Sequence, residues 1–261
     1  MHIKPKKNLG QNFLVDKNIR NKIIAALEFK PHDTVLEIGA GKGELTSLIA
    51  KVVKKVYALE IDKYLCPVLK ENCKAFSNIT IINDDILKLN FNTKFKNLKC
   101  RIKVFGNIPY YISSPIIEHL LRNRKMIDTI YLTVQKEFAT RVVAIPGSKD
   151  FGSLSCFVQF FSSPRTIFDI SKNSFFPVPK VNSSFLKIDI IKSRRLSKSE
   201  EKTFFKIVRA AFNKRRKTLR NSLDGVVPRD KLNDFFTVFH IDPNTRPECL
   251  SVNDFINLSK V

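Results

Sequence analysis

The sequence predicts an α/β protein, with a Rossmann-like, doubly wound parallel sheet followed by a small all-helical C-terminal domain. Three observations carry this reading. Short apolar runs of strand length alternate with helical patterns between Thr34 and Val143. The first of those runs opens directly into a glycine-rich turn, Gly39-Ala40-Gly41-Lys42-Gly43. Beyond Ser197 the apolar spacing is helical and the charge strongly basic. With 261 residues the chain can bury a large core. The predicted division is a sheet domain over 1–194 and a helical basic domain over 195–261.

The elements follow in order. Asp16 is a plausible N-cap for a helix with apolar positions at Ile19, Ile23, Ile24 and Leu27. Thr34–Ile38 is the first core strand, and the glycine turn leads from it into a helix from about Glu44 to Val53. Val56–Leu59 is a second strand ending on Glu60, and Ile79–Ile82 a third ending on Asn83-Asp84-Asp85. Ile102–Phe105 forms a fourth and runs into Gly106-Asn107-Ile108-Pro109-Tyr110. Ser114-Pro115 reads as the cap and first residue of a helix over Ile116–Leu121, with Thr129–Val134 as the next strand. A helix from Gln135 to Val143 then stops at Pro146-Gly147. Past residue 150 the pattern predicts strands at Cys156–Phe161, Thr166–Ile170 and Ser184–Ile191. Helices over Glu201–Phe212, Asp230–Phe239 and Val252–Leu258 close the chain, the last with a Ser251/Asp254 capping box.

Lys and Arg number 46 against 24 Asp and Glu, a formal net charge of +22. That excess points to a polyanionic partner, either nucleic acid or an acidic membrane surface. Scattered lysines also arise from an AT-rich genome, so a cluster is the better witness. Lys214, Arg215, Arg216, Lys217 and Arg220 put five cations into seven positions, suited to phosphate contacts; the competing reading is a solvated helix face. Five cysteines without CxxC spacing read as apolar fillers in a reducing compartment, so neither a disulfide framework nor a metal site is expected. No run is apolar and long enough to span a membrane, and the basic start lacks a signal core, so a cytoplasmic protein is expected, monomeric when free.

The strand ends carry the chemistry. Glycines at a strand-to-helix turn let a ligand approach the backbone, and an acid at the end of the next strand takes ribose hydroxyls. The spacing is GxGxG rather than the dinucleotide GxGxxG, and no P-loop forms. Glu37, just before the glycines, would repel a pyrophosphate but suits a cationic ligand such as S-adenosylmethionine, with its sulfonium and ammonium. Asp85 is placed to accept from the adenine amine of that cofactor, or is only a solvated turn. At the fourth strand's mouth, the Asn107 amide and the Ile108 carbonyl can accept the two N–H bonds of an exocyclic amine. Pro109 fixes that carbonyl and Tyr110 offers a ring to stack on. Phe175 and Phe176, in a loop stiffened by Pro177 and Pro179, either wall a base pocket or belong to the core.

Taken together, Gln11-Asn12-Phe13-Leu14, Glu37-Ile38-Gly39-Ala40-Gly41, Asn107-Ile108-Pro109-Tyr110, Phe176-Pro177-Val178-Pro179-Lys180-Val181 and Arg215-Arg216-Lys217-Thr218-Leu219-Arg220-Asn221 closely resemble the bacterial small-subunit (16S) rRNA adenine dimethyltransferase family over nearly the full length. Ile108 stands where leucine is common, and Tyr111 where asparagine is frequent. The resemblance implies a methyltransferase sheet that uses S-adenosylmethionine, releases S-adenosylhomocysteine and needs no metal. It implies N6,N6-dimethylation of two adjacent adenosines near the 3′ end of 16S rRNA during ribosome biogenesis, with the pre-30S particle as partner. Asn12, Leu14, Gly39, Gly41, Glu60, Asp85 and Asn107 are the positions expected at the cofactor, Asn12 and Leu14 from the family pattern alone. Three rivals remain: a large-subunit methyltransferase of the macrolide-resistance type, a non-catalytic RNA-binding relative, and a dinucleotide-dependent oxidoreductase.

Overall fold

The computed structural model describes residues 5–6, 9–193, 195–214 and 216–261. The chain opens on a short strand β1 (Phe13–Leu14) and helix α1 (Lys17–Ala26), whose cap Asp16 accepts from the N–H groups of Asn18 and Ile19. There follow β2 (Thr34–Ile38), α2 (Glu44–Ala50), β3 (Lys55–Glu60), α3 (Cys66–Asn72), β4 (Ile79–Asn83), α4 (Phe91–Lys94), β5 (Ile102–Asn107), α5 (Ser113–Arg122) and β6 (Ile127–Gln135). Next come α6 (Lys136–Val143), α7 (Ser153–Phe161), β7 (Ser162–Ile170), β8 (Phe175–Phe176) and β9 (Ser183–Ile190). The chain ends in α8 (Lys198–Asn213), α9 (Leu219–Ser222), α10 (Arg229–Val238) and α11 (Val252–Leu258).

Seven strands form one sheet in the order β4-β3-β2-β5-β6-β9-β7. The pairings among β2 to β6 are parallel, and β9 runs antiparallel to β6, so the sheet is mixed where an all-parallel one was expected. Every residue of β2 is buried, as a strand covered on both faces requires. Sequence order reverses between β2 and β5, and ligands of such sheets bind outside the carboxyl ends at that reversal. Gly39 and Asn107 stand there. The helix after the Asn107 motif starts at Ser113, after a tight turn over Tyr110–Ile112, and Pro115 falls inside its first turn, where a missing N–H costs nothing. No helix among the described residues is long and apolar enough to cross a membrane.

By its internal contacts the chain forms two units, Met1–Ala139 with Arg165–Ile190, and Thr140–Pro164 with Ile191–Val261. This departs from the single cut at 194/195. The segment 140–164 belongs with the C-terminal helices because α7 packs on α8: the rings of Phe160 and Phe204 stack 4.4 Å apart, and Phe157 and Phe161 each lie 5.5 Å from Phe205. The strand expected at Cys156–Phe161 is therefore a helix. Its apolar residues are interrupted only by Gln159, a pattern whose period does not separate strand from buried helix. Ser155 fixes the helical start, accepting from the Gly152 N–H at 3.1 Å and donating to the Arg141 carbonyl at 2.6 Å. In the C-terminal unit the Ser251/Asp254 capping box forms as expected.

Candidate active site

A cavity opens at the carboxyl ends of β2, β3 and β5. Gly39, Gly41, Glu60, Asp85, Ile108, Pro109 and Tyr110 line it. The arm residues Gly10 to Phe13 close it. A second cavity is bordered by Glu37, Lys42, Phe105 and Phe176. Phe13, Gly39, Gly41 and Asn107 border both, so Asn107 stands at the junction.

Each wall has a cause in the chain. Gly39, Gly41 and Gly43 hold φ of 75°, 59° and 86°, values open to glycine and strained for other residues. Glu60 secures the turn: one carboxylate oxygen accepts from the Gly41 N–H and the other from the Asp62 N–H, both at 2.8 Å. Burial pushes the Glu60 carboxyl up, with the backbone donors of Asp62 and Gly41 acting against it. Asp85 accepts from the Leu87 N–H at 2.9 Å through one oxygen while lining the cavity. The arm is pinned by Asp62, which accepts from Lys6 Nζ at 2.7 Å and from Gln11 Nε2 at 3.2 Å. Burial alone would raise Asp62, but Lys6, the Tyr64 N–H and Gln11 outweigh it and hold the carboxyl low.

Glu37 is the unusual group. It is 2% exposed, and its Oε2 has no hydrogen-bond partner. Burial lifts its pKa to about 8, opposed in part by Thr46 beside it and reinforced by the negative charge of Glu60. A buried, unpartnered carboxyl oxygen beside a glycine turn fits a ligand that brings its own positive charge, and the acids Glu60 and Asp85 fit hydroxyl and amine donors. S-adenosylmethionine carries all three kinds of group, so the residues fit it.

The residues at the end of β5 are held by specific contacts. Asn107 Nδ2 donates to the Asn12 carbonyl at 3.0 Å, which orients the amide and leaves Oδ1 to accept from a ligand. The Tyr110 hydroxyl shares a 2.6 Å hydrogen bond with Ser183 Oγ on β9, a side chain buried completely. Sequence reasoning missed Ser183. Its only signal was its place just after the Lys180-Val181-Asn182 stretch. The two phenylalanines part company: Phe175 is 1% exposed inside the sheet core, whereas Phe176 is 59% exposed and borders the second cavity. Phe175 therefore offers no face to a ligand, because its antiparallel pairing with Leu14 turns both side chains inward. Leu14, expected at the cofactor, is 6% exposed and borders the second cavity rather than the first.

In the C-terminal unit Lys214, Arg216 and Lys217 are exposed on the turn after α8, and no ion pair among the described residues engages them. Arg215 lies outside the described residues. Arg220 is also exposed, but it donates to Asn233 Oδ1 at 3.1 Å and lies 5.6 Å from the centre of the Phe236 ring.

A glycine turn, an acid at the end of β3 and an amide at the end of β5 on this sheet define a methyltransferase of the S-adenosylmethionine-dependent type. The comparisons with known proteins carry the assignment further: the model of the ribosomal RNA adenine dimethylase family matches residues 2–261, and the chain belongs to that family. It is 42% identical over 254 residues to "Ribosomal RNA small subunit methyltransferase A" of Clostridium botulinum (strain Okra), covering 97% of this chain and 92% of that one. The protein of the same description from Caldanaerobacter subterraneus is 41% identical, with 98% and 97% covered. Among solved structures, a dimethyladenosine transferase from Plasmodium falciparum superposes with a TM-score of 0.82 at 28% identity, covering 94% of this chain and 95% of that one. A 23S rRNA methyltransferase shares the fold, with a TM-score of 0.78 at 24% identity over 95% and 98% of the two chains.

Proposed function

We infer that this chain transfers methyl groups from S-adenosylmethionine to N6 of adenosines in small-subunit ribosomal RNA, dimethylating two adjacent adenosines near the 3′ end of the 16S molecule. The observation that carries the mechanism is Asn107 at the junction of two cavities, its amide oriented by the Asn12 carbonyl. Gly39, Gly41, Glu60, Asp85 and Asn12 would hold the cofactor in the first cavity, with its positively charged end at the border with the second, which Glu37 lines. Bound there, S-adenosylmethionine supplies a methyl group on a sulfonium and leaves as S-adenosylhomocysteine.

The remaining work falls to the chain's own side chains. An adenine N6 lone pair is delocalised into the ring and is a weak nucleophile. Asn107 Oδ1 and the Ile108 carbonyl accept its two N–H bonds and draw the nitrogen toward a pyramidal geometry with its lone pair outward. Pro109 restrains Ile108 to an extended backbone and so aims that carbonyl. Tyr110 and Phe176 stack against the base once it has left its helix or loop. Catalysis is then mainly positioning and electrostatics. We further propose that the working partner is an assembling small-subunit particle met in the cytoplasm, contacted through Lys214, Arg215, Arg216, Lys217 and Arg220, and that the free protein is a monomer.

Methyl-labelled cofactor offered to undermethylated small and large ribosomal subunits tests this reading. Label should enter only the small subunit, at N6 of adenosines. Asn107→Ala should cut the rate by about a hundredfold or more while cofactor binding stays measurable. Label in the large subunit, or full activity of the variant, would sink it.

A further inference from the structure

The arm that closes the first cavity is fastened at one buried point. Asp62, two residues past Glu60, has a side chain 1% exposed. Its Oδ1 accepts from Lys6 Nζ at 2.7 Å and from the Tyr64 N–H at 3.1 Å, and its Oδ2 from Gln11 Nε2 at 3.2 Å. The Gln11 amide is held at both ends, because its Oε1 accepts from the Lys6 N–H at 2.8 Å. A carboxylate taken out of water needs donors and a cation around it, and the arm supplies two of these three donors and the cation. The Asp62 N–H in turn donates to Glu60 Oε1 at 2.8 Å, so the fastening stands on the turn that carries Glu60.

We propose that Asp62 is a positioning residue for methyl transfer: by latching Lys6 and Gln11 it sets the Asn12 carbonyl, which in turn orients the Asn107 amide. Asp62 itself does not line the cavity, so it acts through the arm. Asn12 sits between two anchors, the latch at Gln11 on one side and the β1–β8 pairing that starts at Phe13 on the other. Tied at both ends, its carbonyl has few directions left, and the one it takes accepts from Asn107 Nδ2 at 3.0 Å. With the latch open that carbonyl moves, and the amide is free to turn over. A turned amide would offer Nδ2, a donor, where an acceptor for the adenine N–H is needed. The proposal deepens the function given above and rests on it.

The test uses the full-length protein and two readouts. With saturating S-adenosylmethionine and undermethylated small ribosomal subunits, Asp62→Ala should lower kcat about tenfold and leave KM for the subunits within about twofold. Gln11→Ala, which leaves the buried carboxylate its cation, should lower kcat about threefold. In the free protein, followed by NMR, the side-chain amide protons of Asn107 should exchange with solvent about tenfold faster in Asp62→Ala and about threefold faster in Gln11→Ala. Unchanged kcat in both variants, with only cofactor affinity reduced, refutes the proposal, because the arm would then hold cofactor and nothing more. A lowered kcat with unchanged Asn107 exchange refutes it too, since the loss would come by another route. If Asp62→Ala does not fold, Gln11→Ala decides by the same two readouts. A parent protein that labels no small subunit marks the separate failure of the methylation reading, and the Asn107 exchange then decides the latch.

Discussion

Two buried side chains at the candidate site, Ser183 and Glu37, carry predictions of their own. Ser183 is buried and hydrogen-bonded to Tyr110 at 2.6 Å, so it fixes the plane of the ring expected to stack on adenine. Ser183→Ala should lower kcat/KM about three- to tenfold, roughly one hydrogen bond's worth. Tyr110→Phe should do the same, and the double variant should be no worse than either single one, as a double-mutant cycle would reveal. Glu37 makes the free protein sensitive to pH. Its folded pKa is about 8 against an ordinary 4.5, so the folded state holds a proton that the unfolded state releases. Stability is then greatest below the unfolded value and declines as pH rises from about 4.5 to about 8. Glu37→Gln removes that decline, so the Tm of the variant relative to the parent should climb between pH 5 and pH 8. A gap that stays constant would mean Glu37 is already ionised. The same variant should bind S-adenosylmethionine more weakly, since its amide cannot give up a proton to meet the cation as the carboxyl can.

At the level of elements, the parts legible in the sequence were those whose chemistry is local. The glycine turn, the acid ending β3 and the amide ending β5 each announce themselves within a few residues, and all three line one cavity. What escaped was made by contacts between distant segments. The Asn12 carbonyl that orients Asn107 lies 95 positions away and leaves no mark on side-chain type. The choice between Phe175 and Phe176 depends on pairing with β1, and two adjacent phenylalanines give no alternation to read. Helix α7 escaped because its apolar run from Cys156 to Phe161, interrupted only by Gln159, is buried against α8. That packing has a measurable weight: Phe160→Ala removes a ring 4% exposed among Phe161, Phe204 and Phe205, and should cost about 3–5 kcal/mol in a denaturant titration. A loss below about 1 kcal/mol would show the cluster to be loosely packed.

For the whole molecule, the excess of cations shapes how the chain meets its substrate. A net charge of +22 draws a polyanion from a distance and makes every affinity salt-dependent. Lys214, Arg216 and Lys217 are the exposed cations the sequence singled out, whereas Arg220 is partly engaged by Asn233 and Phe236. Replacing the first three by Ala should reduce the slope of log affinity against log salt by about one for each phosphate that these side chains neutralise, with cofactor affinity intact. Arg220→Ala should also loosen the local packing on α10. An unchanged slope would show these cations to be ordinary solvated surface.

The short ribbon of β1 and β8 sets a rule for how this chain can vary. Its two rungs pair Phe13 with Phe176 and Leu14 with Phe175, one rung facing the cavities and the other the core. Side chains on a strand alternate, so a one-residue slip in the pairing of either strand would swap those faces. Phenylalanine would leave the cavity wall, and leucine would take its place. Changes of length within residues 13–14 or 175–176 are therefore expected in twos or not at all among functional relatives.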